Sequence, residues 1–119
     1  MSPIDQGPEL PSEAATLAHA FLRAGDALGL TRAELKAVLG QSLHVTERNG
    51  LDPASPAGAR ALLLIRVYQS LFALVGGAAG DMVHWTHTAN RALGGVPAEK
   101  LKSPSGLRCV VEYLESMSR

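Results

Sequence analysis

The chain has 119 residues, a length typical of one small domain. Hydrophobic residues make up 46% of the chain and aromatic residues only 4%, so leucine, alanine and valine must fill its core. Lysine plus arginine and aspartate plus glutamate each number 11, so the formal net charge is zero. The chain therefore lacks the excess of basic residues that is typical of nucleic-acid-binding proteins, although a local basic patch could still exist.

We expect neither a membrane span nor a secretory signal in this sequence. The longest apolar stretch, residues 61–75, is interrupted by polar side chains and is shorter than the roughly 20 residues that cross a bilayer. The first residues have neither a basic region nor an apolar one, so we expect a cytoplasmic protein. Cys109 is the single cysteine, and its apolar neighbours predict a buried, inert thiol.

The N-terminal region begins with a segment that is poor in apolar side chains. Residues 1–11 contain three prolines, which predicts a flexible arm. Ser12 is a candidate N-cap for a first helix, in which apolar side chains recur at helical spacing until Gly29 ends it.

Two short helices are predicted next. Thr31, followed by a glutamate three residues later, has the pattern of a capping box, and Gly40 ends this second helix. Ser42 then caps a third helix over residues 43–48. Because two short helices joined by a glycine turn are typical of a helix-turn-helix, we expect residues 12–50 to form such a unit.

A helix-turn-helix presents the first side chains of its second helix to the DNA bases. This geometry predicts four DNA-contacting residues: Arg32, Ser42, His44 and Arg48. Residues 1–50 carry four basic and six acidic side chains, however, which gives this half a net charge of −2. DNA binding would therefore require a dimer with two half-sites, or a partner that adds basic surface.

The centre of the chain predicts a long helix. Ser55 and Pro56 mark its start, and Gly76 with Gly77 marks its end. The helix is hydrophobic nearly all round, which predicts burial against the core on one side and in a subunit interface on the other. Residues 51–77 are therefore expected to supply dimer contacts, which we assign to Leu64, Tyr68, Leu71 and Phe72.

The last third of the chain, residues 78–119, predicts three more helical segments. A fifth helix over residues 81–90 carries the single tryptophan, and a glycine turn follows it. Pro97 starts a one-turn helix, and Ser103 caps a final helix with an apolar face. Because no segment alternates with period two for long enough to form a strand, the predicted fold class is all-α.

The side chains that could carry chemistry are few. Asp81, His84 and His87 could bring a carboxylate and two imidazoles together on one helix, and two histidines with a carboxylate can hold a divalent metal. Their spacing turns away from a single helix face and matches no known ligand signature. The chain also lacks a nucleophile elbow and a phosphate-binding loop. We therefore expect no enzyme activity, no metal and no cofactor, and a small metal-dependent enzyme is the weaker hypothesis.

One set of positions has a spacing that is found in a known family: Trp85, Asn90, Ala92, Leu93, Gly94, Gly95, Pro97, Leu101, Gly106, Val110 and Leu114. It resembles the signature of the toxin-binding domain of Xre/MbcA/ParS-type antitoxins. Residues 30–48 are similar to the degenerate Xre-like helix-turn-helix that precedes this domain. The resemblance covers about residues 14–116.

The resemblance implies an antitoxin of a type II toxin–antitoxin system. Such a protein dimerises, neutralises a RES-domain toxin that consumes or transfers from NAD by occluding its active site, and represses its own operon. It implies toxin contacts within residues 78–119, namely at Trp85, Asn90, Gly94, Gly95, Pro97, Leu101, Met117 and Arg119. The alternative hypothesis is a stand-alone helix-turn-helix transcriptional repressor whose C-terminal half only dimerises it.

Overall fold

The computed structural model describes residues 12–117, and the predicted arm over residues 1–11 lies outside them. The described residues form seven α-helices and no strand, so the predicted all-α fold class is confirmed. The helices are α1 (Glu13–Ala27), α2 (Arg32–Leu39), α3 (Leu43–Asn49), α4 (Pro56–Val75), α5 (Ala79–His87), α6 (Pro97–Lys100) and α7 (Pro104–Met117).

The predicted N-caps start the helices as expected. The Ser12 hydroxyl accepts a hydrogen bond from the amide of Ala15 at 3.0 Å. The capping box of α2 is complete, because the Thr31 hydroxyl accepts from the Glu34 amide at 3.1 Å and the Glu34 carboxylate accepts from the Thr31 amide at 2.9 Å. Ser55 caps α4 in the same way, and these bonds satisfy amides that would otherwise lack partners.

Helix α5 spans Ala79–His87, whereas the sequence predicted residues 81–90. It ends early because the Thr88 hydroxyl donates to the carbonyl of His84 at 2.6 Å while the Thr88 backbone turns to an extended conformation. Asn90 then pairs with Gly95 in an isolated β-bridge, which commits its backbone to the following loop. Local side-chain bonds to the backbone therefore compete with the helix at this end.

Helix α4 is the central element of the fold and packs between α1 and α7. By length and composition alone, α4 could cross a membrane, because an 18-residue window of this helix has a mean hydropathy of 1.4. Its Leu64, Val67 and Leu71 side chains are buried in one core cluster to which all seven helices contribute or pack. Leu64 and Leu71, which the sequence assigned to a dimer interface, are fully buried inside the protomer and leave no surface for a second copy.

Helix α7 shows a second departure from the sequence prediction. Its buried side chains are Leu107, Val110, Val111 and Leu114. Cys109 lies between them in the sequence but on the opposite side of the helix, where it is exposed, so the prediction of a buried thiol is wrong. The apolar neighbours in sequence point to the opposite side of the helix, since successive residues are rotated by about 100°.

Helices α6 and α7 approach closely at Gly106. A methyl group on Gly106 would overlap the backbone carbonyl of Lys100 and come within 2.8 Å of the Ser103 hydroxyl. The same hydroxyl caps α7 by accepting from the Gly106 amide at 3.1 Å. The absence of a side chain at Gly106 thus allows α7 to lie close to the end of α6, which explains why this residue is a glycine.

We predict that Gly106→Ala destabilises the protein by about 1–3 kcal/mol, because backbone must move to admit the methyl group. Gly80→Ala is the matched control, since Gly80 is also helical but a Cβ there meets open space. The control should stabilise the protein by up to about 1 kcal/mol, the helix-propensity difference between glycine and alanine. Urea unfolding followed by circular dichroism measures both. Equal stabilities for the two variants would contradict the close approach.

Candidate protein-binding site

The loop between α5 and α6 is closed by hydrogen bonds around Asn90. The Asn90 amide donates to the carbonyl of Gly95 at 2.8 Å, and the Asn90 carbonyl accepts from the Gly94 amide at 2.9 Å. Its side-chain Oδ1 accepts from the Leu93 amide at 3.2 Å. Gly94 has a φ of +76°, a left-handed conformation that favours glycine. Asparagine and glycine are therefore required to build this loop, whatever the loop contacts.

The glycines of the loop lie at the surface. Gly94 is exposed and Gly95 is half-buried. A Cβ atom on either residue would come within 3.8 Å of the Lys100 side chain, which lies alongside the turn. A partner approaching here meets backbone and an ammonium group instead of bulky side chains.

Two predicted contact residues lie beneath the loop. Pro97 opens α6 and is buried, and Leu101, directly after α6, is 1% exposed. Their side chains therefore have no surface to offer the toxin that the sequence predicted they would contact. They instead anchor α6 between α5 and α7.

Trp85 lines a recess between the end of α4, helix α5 and the Asn90 loop. The side chain is half-buried and packs against the core, which leaves part of the indole accessible. The recess has a volume of about 400 Å³ and is lined by Val75, Asp81, His84, Trp85, Thr88, Ala89 and Asn90. We call this feature the Trp85 recess. It brings together two of the predicted contact residues, Trp85 and Asn90.

The C-terminal end of α7 offers a separate apolar group. Met117 is 48% exposed, and Arg119 lies outside the described residues. The end of α7 is held to α4 by two hydrogen bonds from the Arg66 guanidinium to the Glu115 carboxylate, at 2.9 and 2.6 Å. These hydrogen bonds raise the pKa of Arg66 above its usual value.

The three residues considered as metal ligands do not form a site. Among residues 12–117, no three His, Cys, Asp or Glu side chains come together as a group that could hold a metal ion. His87 turns away from Asp81 and His84. Its Nδ1 lies 2.9 Å from the carbonyl of Val83, and its Nε2 lies 3.8 Å from the Glu34 carboxylate on α2. His87 therefore connects α5 to the N-terminal half of the protein.

The helix-turn-helix region is consistent with its prediction, since α2 and α3 follow one another across the left-handed Gly40.

An ion pair within this region joins α2 to α3. The Arg32 guanidinium donates two hydrogen bonds, at 3.2 and 3.1 Å, to the carboxylate of Glu47 on α3. These hydrogen bonds lower the pKa of Glu47 and raise the pKa of Arg32. The guanidinium that was predicted to contact a DNA phosphate is therefore already paired with a carboxylate.

The other three predicted DNA contacts differ in availability. The Ser42 hydroxyl is used as the N-cap of α3, where it accepts from the Val45 amide at 3.5 Å. His44 is exposed, and its Nδ1 lies 3.9 Å from Glu47. Arg48 is exposed and takes part in none of the ion pairs found among the described residues. Arg48 is consequently the side chain of this set with the most freedom to contact DNA.

An open groove of about 1250 Å³ runs along α1 and the middle of α4. Its apolar lining includes Leu22, Ile65 and Tyr68, which are half-buried against the core. One turn beyond Tyr68, Phe72 is 45% exposed and its ring centre lies 5.9 Å from that of Tyr68. We call this feature the α1–α4 groove. Of the predicted dimer surface, Tyr68 lines this groove and the exposed Phe72 lies one turn beyond it.

These features define a small all-helical domain whose exposed loop, recess and groove suit recognition of other proteins. Residues 70–118, from the last turns of α4 to the end of α7, match the family described as antitoxin Xre/MbcA/ParS C-terminal toxin-binding domain. This match confirms the predicted resemblance for that segment and supports an antitoxin role. The family also indicates a regulatory protein instead of a catalyst. The comparison with curated proteins gave no match.

We predict that Glu47→Ala strengthens binding to duplex DNA, because it releases Arg32 and removes a negative charge from α3. One new phosphate contact should steepen the dependence of log K on log salt by about 0.9. Fluorescence anisotropy at several salt concentrations measures this slope. Glu112→Ala on α7, which removes an exposed acid elsewhere, should leave the slope unchanged. If both variants bind DNA like the wild type, the Arg32–Glu47 pair does not limit DNA contact.

Proposed function

We propose that this protein is the antitoxin of a type II toxin–antitoxin system and that it acts in the cytoplasm. It binds a RES-domain toxin that consumes NAD and neutralises it by occluding the active site. The observation that carries the proposal is the match of residues 70–118 to a toxin-binding domain. The resemblance of Trp85 and the Asn90 loop to the Xre/MbcA/ParS signature supports the same partner.

The toxin contacts that this proposal uses are accessible in the structure. The Trp85 recess is lined by both apolar and polar side chains. The Gly94–Gly95 turn presents backbone to a partner, and Met117 presents an exposed apolar side chain at the end of α7. The Arg66–Glu115 pair joins the last turn of α7 to α4, which positions the exposed Met117. Occlusion then needs no chemistry from the antitoxin, because a segment that fills the cleft excludes NAD.

The active form in this proposal is a homodimer formed through the α1–α4 groove. Leu22, Ile65 and Tyr68 present apolar surface there, and the exposed Phe72 extends it by one turn of α4. Burial of this surface would stabilise the dimer by about 25 cal/mol per Å² of area removed from water. A dimer also pairs two helix-turn-helix units, which is the arrangement that reads two half-sites of an operator.

Repression of the antitoxin's own operon is part of the same proposal. Because Arg32 is paired with Glu47, each protomer offers little positive surface to phosphates. This pairing disfavours the alternative of a stand-alone repressor. It favours a repressor whose DNA contacts are few and depend on dimerisation.

Coexpression with the product of the neighbouring gene, which the proposal expects to be a RES-domain toxin, tests the proposal. The antitoxin should restore growth and copurify with the toxin, and the complex should have lost NAD consumption. Deletion of residues 117–119 leaves the Arg66–Glu115 pair intact, so it should preserve the fold and the complex but weaken inhibition. The control is Ser105→Ala, an exposed position at the other end of α7. A wild-type antitoxin that neither binds the toxin nor relieves its toxicity would refute the proposal.

We predict that Phe72→Glu makes the protein monomeric, because it places a charge in the apolar part of the proposed interface. Leu74→Glu is the matched control, since Leu74 is 41% exposed near the same end of α4 but points to a different face. Light scattering after size-exclusion chromatography measures the mass of each variant. A dimer that survives Phe72→Glu, or that is lost equally in the control, would place the interface elsewhere.

A further inference from the structure

The polar groups of the Trp85 recess divide into those that are used locally and those that are available. The Thr88 hydroxyl donates to the His84 carbonyl, and the Asn90 side-chain oxygen accepts from the Leu93 amide. The Asp81 carboxylate is exposed and takes part in none of the hydrogen bonds or ion pairs found among the described residues. Asp81 is also the only formally charged side chain that lines the recess, apart from the titratable His84.

Asp81 and Trp85 are four residues apart on α5, so their side chains lie on the same helix face with Cβ atoms about 5–6 Å apart. An indole face attracts a cation placed within about 6 Å of its ring centre. A carboxylate beside that face supplies a second, complementary interaction. The recess therefore combines an aromatic surface with one unpaired negative charge.

We propose that the Trp85 recess receives an arginine side chain of the toxin, with the guanidinium stacked on Trp85 and hydrogen-bonded to Asp81. This inference rests on the proposed function and names the toxin group recognised at one part of its site. Arginine fits better than lysine because its planar guanidinium both stacks on aromatic rings and donates two parallel hydrogen bonds to a carboxylate. An acidic side chain would be repelled by Asp81, and an aliphatic one would leave the carboxylate desolvated without a partner.

The first experiment measures the affinity of the full-length antitoxin for the purified toxin by calorimetry at low and high salt. Asp81→Asn should weaken binding about tenfold or more at low salt, because it removes one partner of a desolvated charge pair. The difference should shrink in 0.5 M salt, where the Debye length is about 4 Å. Asp81→Glu should retain most of the affinity. Glu112→Gln, which removes an exposed acid that does not line the recess, should bind like the wild type.

A charge exchange identifies the toxin residue. Asp81→Lys should abolish measurable binding, and one arginine-to-glutamate substitution in a scan of the toxin surface should restore it. Restoration by a lysine-to-glutamate substitution instead would overturn the assignment of arginine. Circular dichroism of the free variants checks that the loss is not one of folding.

The single tryptophan provides a direct readout of the recess. Antitoxin labelled with 5-fluorotryptophan gives one ¹⁹F resonance, which should shift on addition of unlabelled toxin and shift less in Asp81→Asn. A resonance that does not shift when toxin binds would show that the recess is not part of the interface, and would overturn the proposal.

Failure of this inference is distinguishable from failure of the proposed function. If the wild-type chain binds and inhibits the toxin while Asp81→Asn and Asp81→Lys do so equally well, the recess is not the arginine site but the antitoxin function stands. If the wild-type chain does not bind the toxin, both are refuted.

Discussion

The packing of α4 between α1 and α7 is the constraint on which the other features depend. A chain with so few aromatic residues must bury leucine and valine from several short helices, and the 20-residue α4 packs against α1, α2, α5 and α7. Its buried face fixes α1 and the helix-turn-helix region on one side and α7 on the other. Part of its remaining apolar surface, at Ile65 and Tyr68, lines the α1–α4 groove.

A second contact joins the toxin-binding segment to the N-terminal half. Val83 of α5 lies so close to Gly29 that a Cβ there would come within 2.9 Å of it, and His87 lies beside Glu34 in the capping box of α2. Helix α5 therefore packs against the turn between α1 and α2 and is not a separate structural unit. In the proposed complex, a toxin bound at the Trp85 recess touches the same helix that supports this turn.

Local signals in the sequence predicted much of the fold, and the failures have physical causes. Caps such as Ser12 and Thr31 act through bonds to amides three residues away, so their patterns are visible in the chain itself. Leu64 and Phe72 are both apolar, and only tertiary packing decides which is buried in the core and which is left at the surface. Trp85 and Asn90 could be singled out by spacing, whereas the place of Asp81 beside them required the geometry of α5 and its loop.

Helix α4 also links the two proposed interfaces. Ile65 and Tyr68 line the α1–α4 groove, and Val75 lines the Trp85 recess at the end of the same helix. Ten residues of helix separate Ile65 from Val75, a distance of about 15 Å at 1.5 Å per residue. Because a buried helix does not bend freely, dimerisation through the groove fixes the position of both recesses. A dimer of this kind holds two toxins in one relative arrangement, so the spacing between the bound toxins is set by α4 and not by a flexible linker.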